Sequence, residues 1–111
     1  MVNSKIIGFG HYLPEKVLSN NDFTKFIDTS DEWIYSRTGI KQRHIASKTE
    51  LTSDLAIKAS EFAIKSAKIK IKDIDCVIVA TTTPDDTFPS TATKIQNHFK
   101  MNNIPAFDIQ A

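Results

Sequence analysis

The run Cys76-Val77-Ile78-Val79-Ala80-Thr81-Thr82 constrains the fold more than any other stretch of the chain. It is almost wholly apolar or β-branched and shows no polar alternation, so neither side of a strand formed here tolerates water. That condition is met in parallel sheets flanked by helices. The flanking sequence supplies the helices. From Ser53 to Lys68, at 100° per residue, Leu55, Ala56, Ala59, Phe62, Ala63, Ser66 and Ala67 share one face, with Ile57 and Ile64 widening it. Asp54–Lys58 and Glu61–Lys65 stand in the favourable acid-first i, i+4 order on the narrow polar stripe. This helix is expected to be covered on more than one side. After the strand and a loop over 84–89, Ser90 can cap a helix over Thr91–Phe99 with Ala92, Ile95 and Phe99 on one face, and a last strand-like run follows from Pro105 to Ala111.

The first half of the chain reads less regularly. Ile6-Ile7-Gly8-Phe9-Gly10 predicts a strand over about 4–12, stopped at Leu13-Pro14 by proline's missing N–H. Asn20-Asn21-Asp22 offers caps for a short helix over Ser19–Ile27, in which Phe23, Phe26 and Ile27 recur at helical spacing. Thr29 stands three residues before Glu32, the spacing of a reciprocal capping box, so a helix is expected from Ser30 to about Thr38, closed by Gly39 in the left-handed region. Lys41–Ala46 suggests an extended segment and Ser47–Thr52 a loop. Strand, two short helices, long helix, strand, helix and strand make the helix-alternating order of a layered α/β domain. The chain stops at an expected central strand with no helix after it, and so reads as incomplete.

Charge and cysteine content narrow the function classes. A formal charge of +1 over 111 residues leaves no field to steer the chain onto nucleic acid or anionic lipid, so any phosphate site has to be local. The single cysteine, Cys76, forms no internal disulfide and no metal cluster. The N-terminus lacks a signal-peptide apolar core, and no apolar run approaches membrane-spanning length, so the reading is a soluble cytoplasmic protein.

Several local patterns coincide in order and spacing: Lys5-Ile6-Ile7-Gly8 through Tyr12-Leu13-Pro14-Glu15, Asp28-Thr29-Ser30-Asp31-Glu32-Trp33-Ile34, Arg37-Thr38-Gly39-Ile40 and Arg43-His44-Ile45-Ala46. They continue as Val79-Ala80-Thr81-Thr82-Thr83, Phe88-Pro89-Ser90 and Pro105-Ala106-Phe107-Asp108. With these the chain resembles the N-terminal third of β-ketoacyl-acyl-carrier-protein synthase III, a condensing enzyme of fatty-acid synthesis, over essentially all 111 residues. The resemblance implies a thiolase-like fold of two similar layered α/β halves, of which residues 1–111 would be the N-terminal portion of the first, with the second half absent. It also implies that the nucleophilic cysteine follows the Pro-Ala-Phe-Asp strand just beyond Ala111, and that the catalytic His and Asn lie in the second half. No catalytic residue is then expected within the chain.

Trp33 and Arg37 are four apart on one predicted helix and project from one face, where an indole can stack on a nucleobase and a guanidinium can hold phosphate; the alternative is a core tryptophan beside a solvated arginine. The only two arginines, Arg37 and Arg43, both fall shortly after Trp33, which suggests that planar forks are needed there; Arg43 is as well suited to a structural ion pair as to a ligand contact. By resemblance Trp33 stacks on the coenzyme A adenine, Arg37 lies by its phosphates and Thr29 sits beside the adenine. Phe88, between Thr87 and Pro89, is either a local plug or, by resemblance, a residue that crosses a homodimer interface and closes the partner's acyl pocket.

Cys76 opens an expected buried strand with no activating group nearby and reads as an inert core thiol. His11, His44 and His98 have no metal spacing and no partner acid, and Asp85-Asp86 reads as a solvated turn rather than an acid/base pair. The implied activity of the complete enzyme is decarboxylative condensation of acetyl-coenzyme A, a substrate rather than a tightly bound cofactor, with malonyl-acyl-carrier protein. The alternatives are another thiolase-type acyltransferase, whether hydroxymethylglutaryl-coenzyme A synthase-like or a secondary-metabolite condensing enzyme, and a non-catalytic remnant.

Overall fold

A computed structural model describes residues 3–110. Ala111, the end of the last predicted strand, lies outside the described residues, as do the first two residues of the N-terminal reading. The chain divides into two compact units, one formed by Leu13–Thr49 and the other by the residues up to Tyr12 together with those from Glu50 onward.

In the Leu13–Thr49 unit, β1 (Lys16–Ser19) pairs antiparallel with β2 (Gln42–Ile45), in register from Lys16 opposite Ile45 to Ser19 opposite Gln42. The extended reading of 41–46 is borne out. Helix α1 (Asn20–Phe23) is one turn long, shorter than the predicted Ser19–Ile27, and its cap is Ser19: the Asp22 carboxylate accepts from Ser19 N–H at 3.0 Å while Ser19 Oγ accepts from Asp22 N–H at 3.3 Å. Lys25 and then Ser19, both bonded to that carboxylate, hold the Asp22 pKa well below the usual carboxylate range. Helix α2 (Asp31–Thr38) has the predicted bounds within a residue. The expected Thr29 cap is corrected, because Ser30 Oγ accepts from Trp33 N–H at 3.0 Å, one residue later than the capping-box spacing proposed. Gly39 ends the helix at φ 69° with its N–H on Tyr35 O, as expected of a position that penalises a Cβ.

The other unit is built on a β–α–β crossover. β3 (Val77–Ala80) and β4 (Ala106–Ile109) pair in parallel, Val77 opposite Ala106 through Ala80 opposite Ile109, and α4 (Thr91–His98) connects them. Ser90 caps α4 through Thr93 N–H, as predicted, and the Asp108 carboxylate on β4 adds bonds from Thr91 and Ala92 N–H, each 2.7 Å. Ala92, Ile95 and Met101 are buried. The expectation of a strand buried on both faces is not met here: β3 alternates half-buried and exposed residues, and Ile78 and Phe107 face outward. Only one side of the strand pair is covered by α4 in this chain, and for the same reason Cys76, just before β3, is exposed rather than a core thiol.

Helix α3 (Thr52–Ala67) matches its predicted span, and α3 and α4 pack together. Its apolar face is covered only in part, since Phe62 is exposed. The expected Asp54–Lys58 pairing gives way to other partners: Asp54 accepts from the nearby Leu51 N–H, and Lys58 reaches farther along the chain to bond Tyr12 Oη at 3.0 Å and Glu50 at 3.3 Å. Those bonds raise the Lys58 pKa, the one from Tyr12 most.

The predicted strand over 4–12 does not form; the segment runs without ladder bonds, its Ile6, Ile7 and Phe9 exposed. Its glycines have a different use. A Cβ at Gly10 would collide with the α3 backbone at Ala59 and Ala63, so the segment lies directly against the helix. Asp85 corrects another expectation. Its side chain is 1% exposed, accepts from Ser53 N–H at 3.0 Å and pairs with Lys94 at 3.2 Å, while Lys94 also holds Asp86.

Candidate functional site: an exposed indole and guanidinium on one helix

The exposed side of α2 carries the residues singled out by spacing. Trp33 is 55% exposed, so it is no core tryptophan within this chain, and the Arg37 guanidinium lies 4.9 Å from the indole centroid. The i, i+4 spacing of a helix produces this stacking directly, and the ring quadrupole attracts the cation. Arg37 stands in the last turn, where its charge also suits the carbonyl end of the helix.

An open cleft of about 460 Å³ starts at the indole and is lined by Ile27, Asp28, Thr29, Ser30 and Trp33. The Thr29 hydroxyl on this cleft is buried and has no hydrogen-bond partner, because the capping role falls to Ser30. A buried hydroxyl without a partner carries a desolvation cost that a ligand's polar edge would relieve. The arrangement therefore offers a flat aromatic surface, a planar cation and an unused hydroxyl within one unit, the chemistry suited to a nucleobase joined to phosphate.

Thr29, Trp33 and Arg37 thus belong together. Phe88 belongs to the other unit, in the loop between β3 and α4, and is 86% exposed, so it is no plug over its own loop. Arg43 is structural, but its partner is an amide rather than an acid: Nη1 donates to Asn20 Oδ1 at 3.1 Å and the guanidinium lies 4.9 Å from the Phe23 ring centroid. His44 Nδ1 lies 2.6 Å from Pro14 O. His98 has an acid near it after all, Glu61 at 3.9 Å, and meets Phe99 edge-on. Among the described residues no group of three or more His, Cys, Asp or Glu is placed to hold a metal ion, and no helix is long and apolar enough to cross a membrane.

Sequence reasoning missed Asn20. It took this residue for a helix cap, whereas the side chain is buried under α2 and bonds Asp31 and Ile40 O. Its partners lie 11 to 23 residues away in the chain, beyond the reach of local pattern.

No family model matches the chain. It is 60% identical over 107 residues to the β-ketoacyl-acyl-carrier-protein synthase III of Rickettsia canadensis, covering 96% of this chain and 34% of that protein. In structure it matches the 3-oxoacyl-acyl-carrier-protein synthase III of Aquifex aeolicus with a TM-score of 0.89 at 46% identity, over 98% of this chain and 35% of the other. The priming β-ketosynthase of the R1128 polyketide pathway gives a TM-score of 0.89 at 33% identity, over 96% of this chain and 32% of the other. The chain spans about a third of the length of the curated relatives it matches. The expected α/β fold of the thiolase-like condensing enzymes is borne out. By sequence and by fold, the chain is similar to β-ketoacyl-acyl-carrier-protein synthase III over about a third of that enzyme's length.

Proposed function

We propose that this chain serves as the N-terminal third of a β-ketoacyl-acyl-carrier-protein synthase III and supplies the surface that holds the adenine end of a coenzyme A thioester. One observation carries the site: an exposed Trp33 with Arg37 over its ring and the unpartnered Thr29 hydroxyl beside it. Trp33 stacks on the adenine, Arg37 meets phosphate as a planar fork and Thr29 satisfies its hydroxyl on the base. Acetyl-coenzyme A is a substrate that enters and leaves, with no tightly bound cofactor.

In the complete enzyme a cysteine thiolate beyond Ala111 attacks the acetyl thioester and expels coenzyme A as its thiolate, which takes up a proton from water. Malonyl-acyl-carrier protein then loses carbon dioxide, and the resulting carbanion attacks the acyl-cysteine to give β-ketoacyl-acyl-carrier protein and regenerate the thiolate. Neutral His and Asn side chains of the second half hydrogen-bond the enolate oxygen, and backbone N–H groups hold the tetrahedral oxyanion. Cys76 takes no part. We take the complete enzyme to be a cytoplasmic homodimer, with Phe88 reaching the partner's acyl pocket; its exposure in this chain supports that role.

The experiment is a chimera in which this chain replaces the corresponding third of the Rickettsia canadensis enzyme. Formation of β-ketoacyl-acyl-carrier protein from acetyl-coenzyme A and malonyl-acyl-carrier protein is the expected result; a folded, dimeric chimera without product contradicts it. A second reading, a condensing enzyme that primes a polyketide pathway, is favoured by the equal backbone similarity to the R1128 priming enzyme. A chimera that prefers longer acyl primers over acetyl would support it.

A further inference from the structure

The Asn20 side chain, 1% exposed, is the meeting point of the Leu13–Thr49 unit. Its Nδ2 donates to Asp31 Oδ1 at 2.8 Å and to Ile40 O at 2.6 Å, which uses both hydrogens of the amide. Its Oδ1 accepts from Arg43 Nη1 at 3.1 Å, and its backbone N–H donates to Lys41 O at 3.2 Å. Asp31 is the first residue of α2, and Ile40 follows just after its last, Thr38. One amide therefore ties down both ends of the same helix, and Arg43 on β2 holds that amide from its other side.

A helix of eight residues has little stability of its own, so tertiary contacts set its orientation. Ile34 is the buried residue of α2, and an apolar contact fixes depth better than tilt. The two Asn20 bonds supply the direction that the apolar contact lacks. No other side chain of this size donates twice and accepts once: aspartate has no hydrogen to give, and alanine leaves the Asp31 carboxylate and the Ile40 carbonyl, both in part-buried bonds, without this partner.

We propose that Asn20 is a positioning residue for the nucleotide-binding surface, fixing the tilt of α2 so that Trp33 and Arg37 stand in register with Thr29. This deepens the coenzyme A reading and rests on it. Small displacements of a supporting element are expensive at a site of this kind, since stacking and a bidentate fork both depend on orientation.

The test titrates coenzyme A into the 111-residue chain, with heat and Trp33 emission as parallel readouts, Trp33 being its single tryptophan. The parent, Asn20→Ala, Asn20→Asp and the double exchange Asn20→Asp/Asp31→Asn are compared, with each dissociation constant expressed per folded molecule from circular dichroism. The double exchange swaps donor and acceptor across the 2.8 Å bond. The expected result is roughly tenfold weaker binding in both single variants, with altered Trp33 emission, and partial recovery in the double exchange, the scale of one lost oriented contact. Unchanged affinity per folded molecule in Asn20→Ala, whatever its melting temperature, overturns the positioning role and leaves the coenzyme A reading standing. Where the single variants do not fold, a double exchange that folds and binds supports the proposal, and one that folds without binding overturns it. A parent that binds no coenzyme A overturns both.

Discussion

Thr29 and Ser30 are neighbouring hydroxyls with opposite roles: Ser30 satisfies the Trp33 N–H, and Thr29 is buried without a partner. Thr29→Val keeps the shape and removes an unsatisfied oxygen, so it should leave stability unchanged or slightly raised while weakening coenzyme A binding, a split readable by thermal melting beside calorimetry. Asp85 shows the contrary case of a buried polar group fully used. Burial pushes its carboxyl up, but the bonds from Ser53 and Lys94 outweigh it, and its pKa lies below the ordinary 3.8. A carboxyl depressed in the folded state contributes stability that is complete above the unfolded value and is lost as pH falls through the folded one. The Asp85→Asn variant should therefore lose less stability than the parent between about pH 7 and about pH 3 in urea melts. Equal losses would mean that the carboxylate is not favoured by folding.

At the scale of elements, the capping assignment gives a direct check. Ser30→Ala should destabilise the Leu13–Thr49 unit by about 1 kcal/mol, measured by chemical denaturation, as expected of an N-cap lost from a short helix. The helices and the parallel pair were legible in the sequence because their signals are local: the 3.6-residue period of 53–68, the Ser90 cap and the β-branched run at 77–80. The stretch 4–12 has an equally apolar run, yet no strand forms, because a strand takes its bonds from a neighbour and the run says nothing of where that neighbour is. What the run did encode was close approach, through glycines that lie on α3. The site divides along the same line. Trp33 and Arg37 meet through helical spacing and were legible; Asn20, Asp85 and Asp108 act through partners far along the chain and were not.

For the whole molecule, the outward Ile78 and Phe107 on the β3–β4 pair and Phe62 on α3 mark apolar surface that this chain does not cover, in a sequence spanning a third of its relatives' length. Phe88 belongs to the same pattern. If the proposed homodimer and acyl-pocket role of Phe88 hold in a protein of the relatives' full length, Phe88→Ala should shift primer preference from acetyl toward longer acyl chains and weaken that dimer, with roughly 1.5–3 kcal/mol at stake for a fully buried ring. Sedimentation and a primer panel read the two effects, and neither one changing would remove Phe88 from the interface. The central claim, that α2 presents a coenzyme A surface, is tested most directly by comparing coenzyme A affinity in the parent and in Trp33→Ala by calorimetry, with pantetheine, which lacks the nucleotide, as the control ligand. The account predicts a loss of about 1–3 kcal/mol for coenzyme A and none for pantetheine; equal affinity of parent and variant for coenzyme A would contradict it.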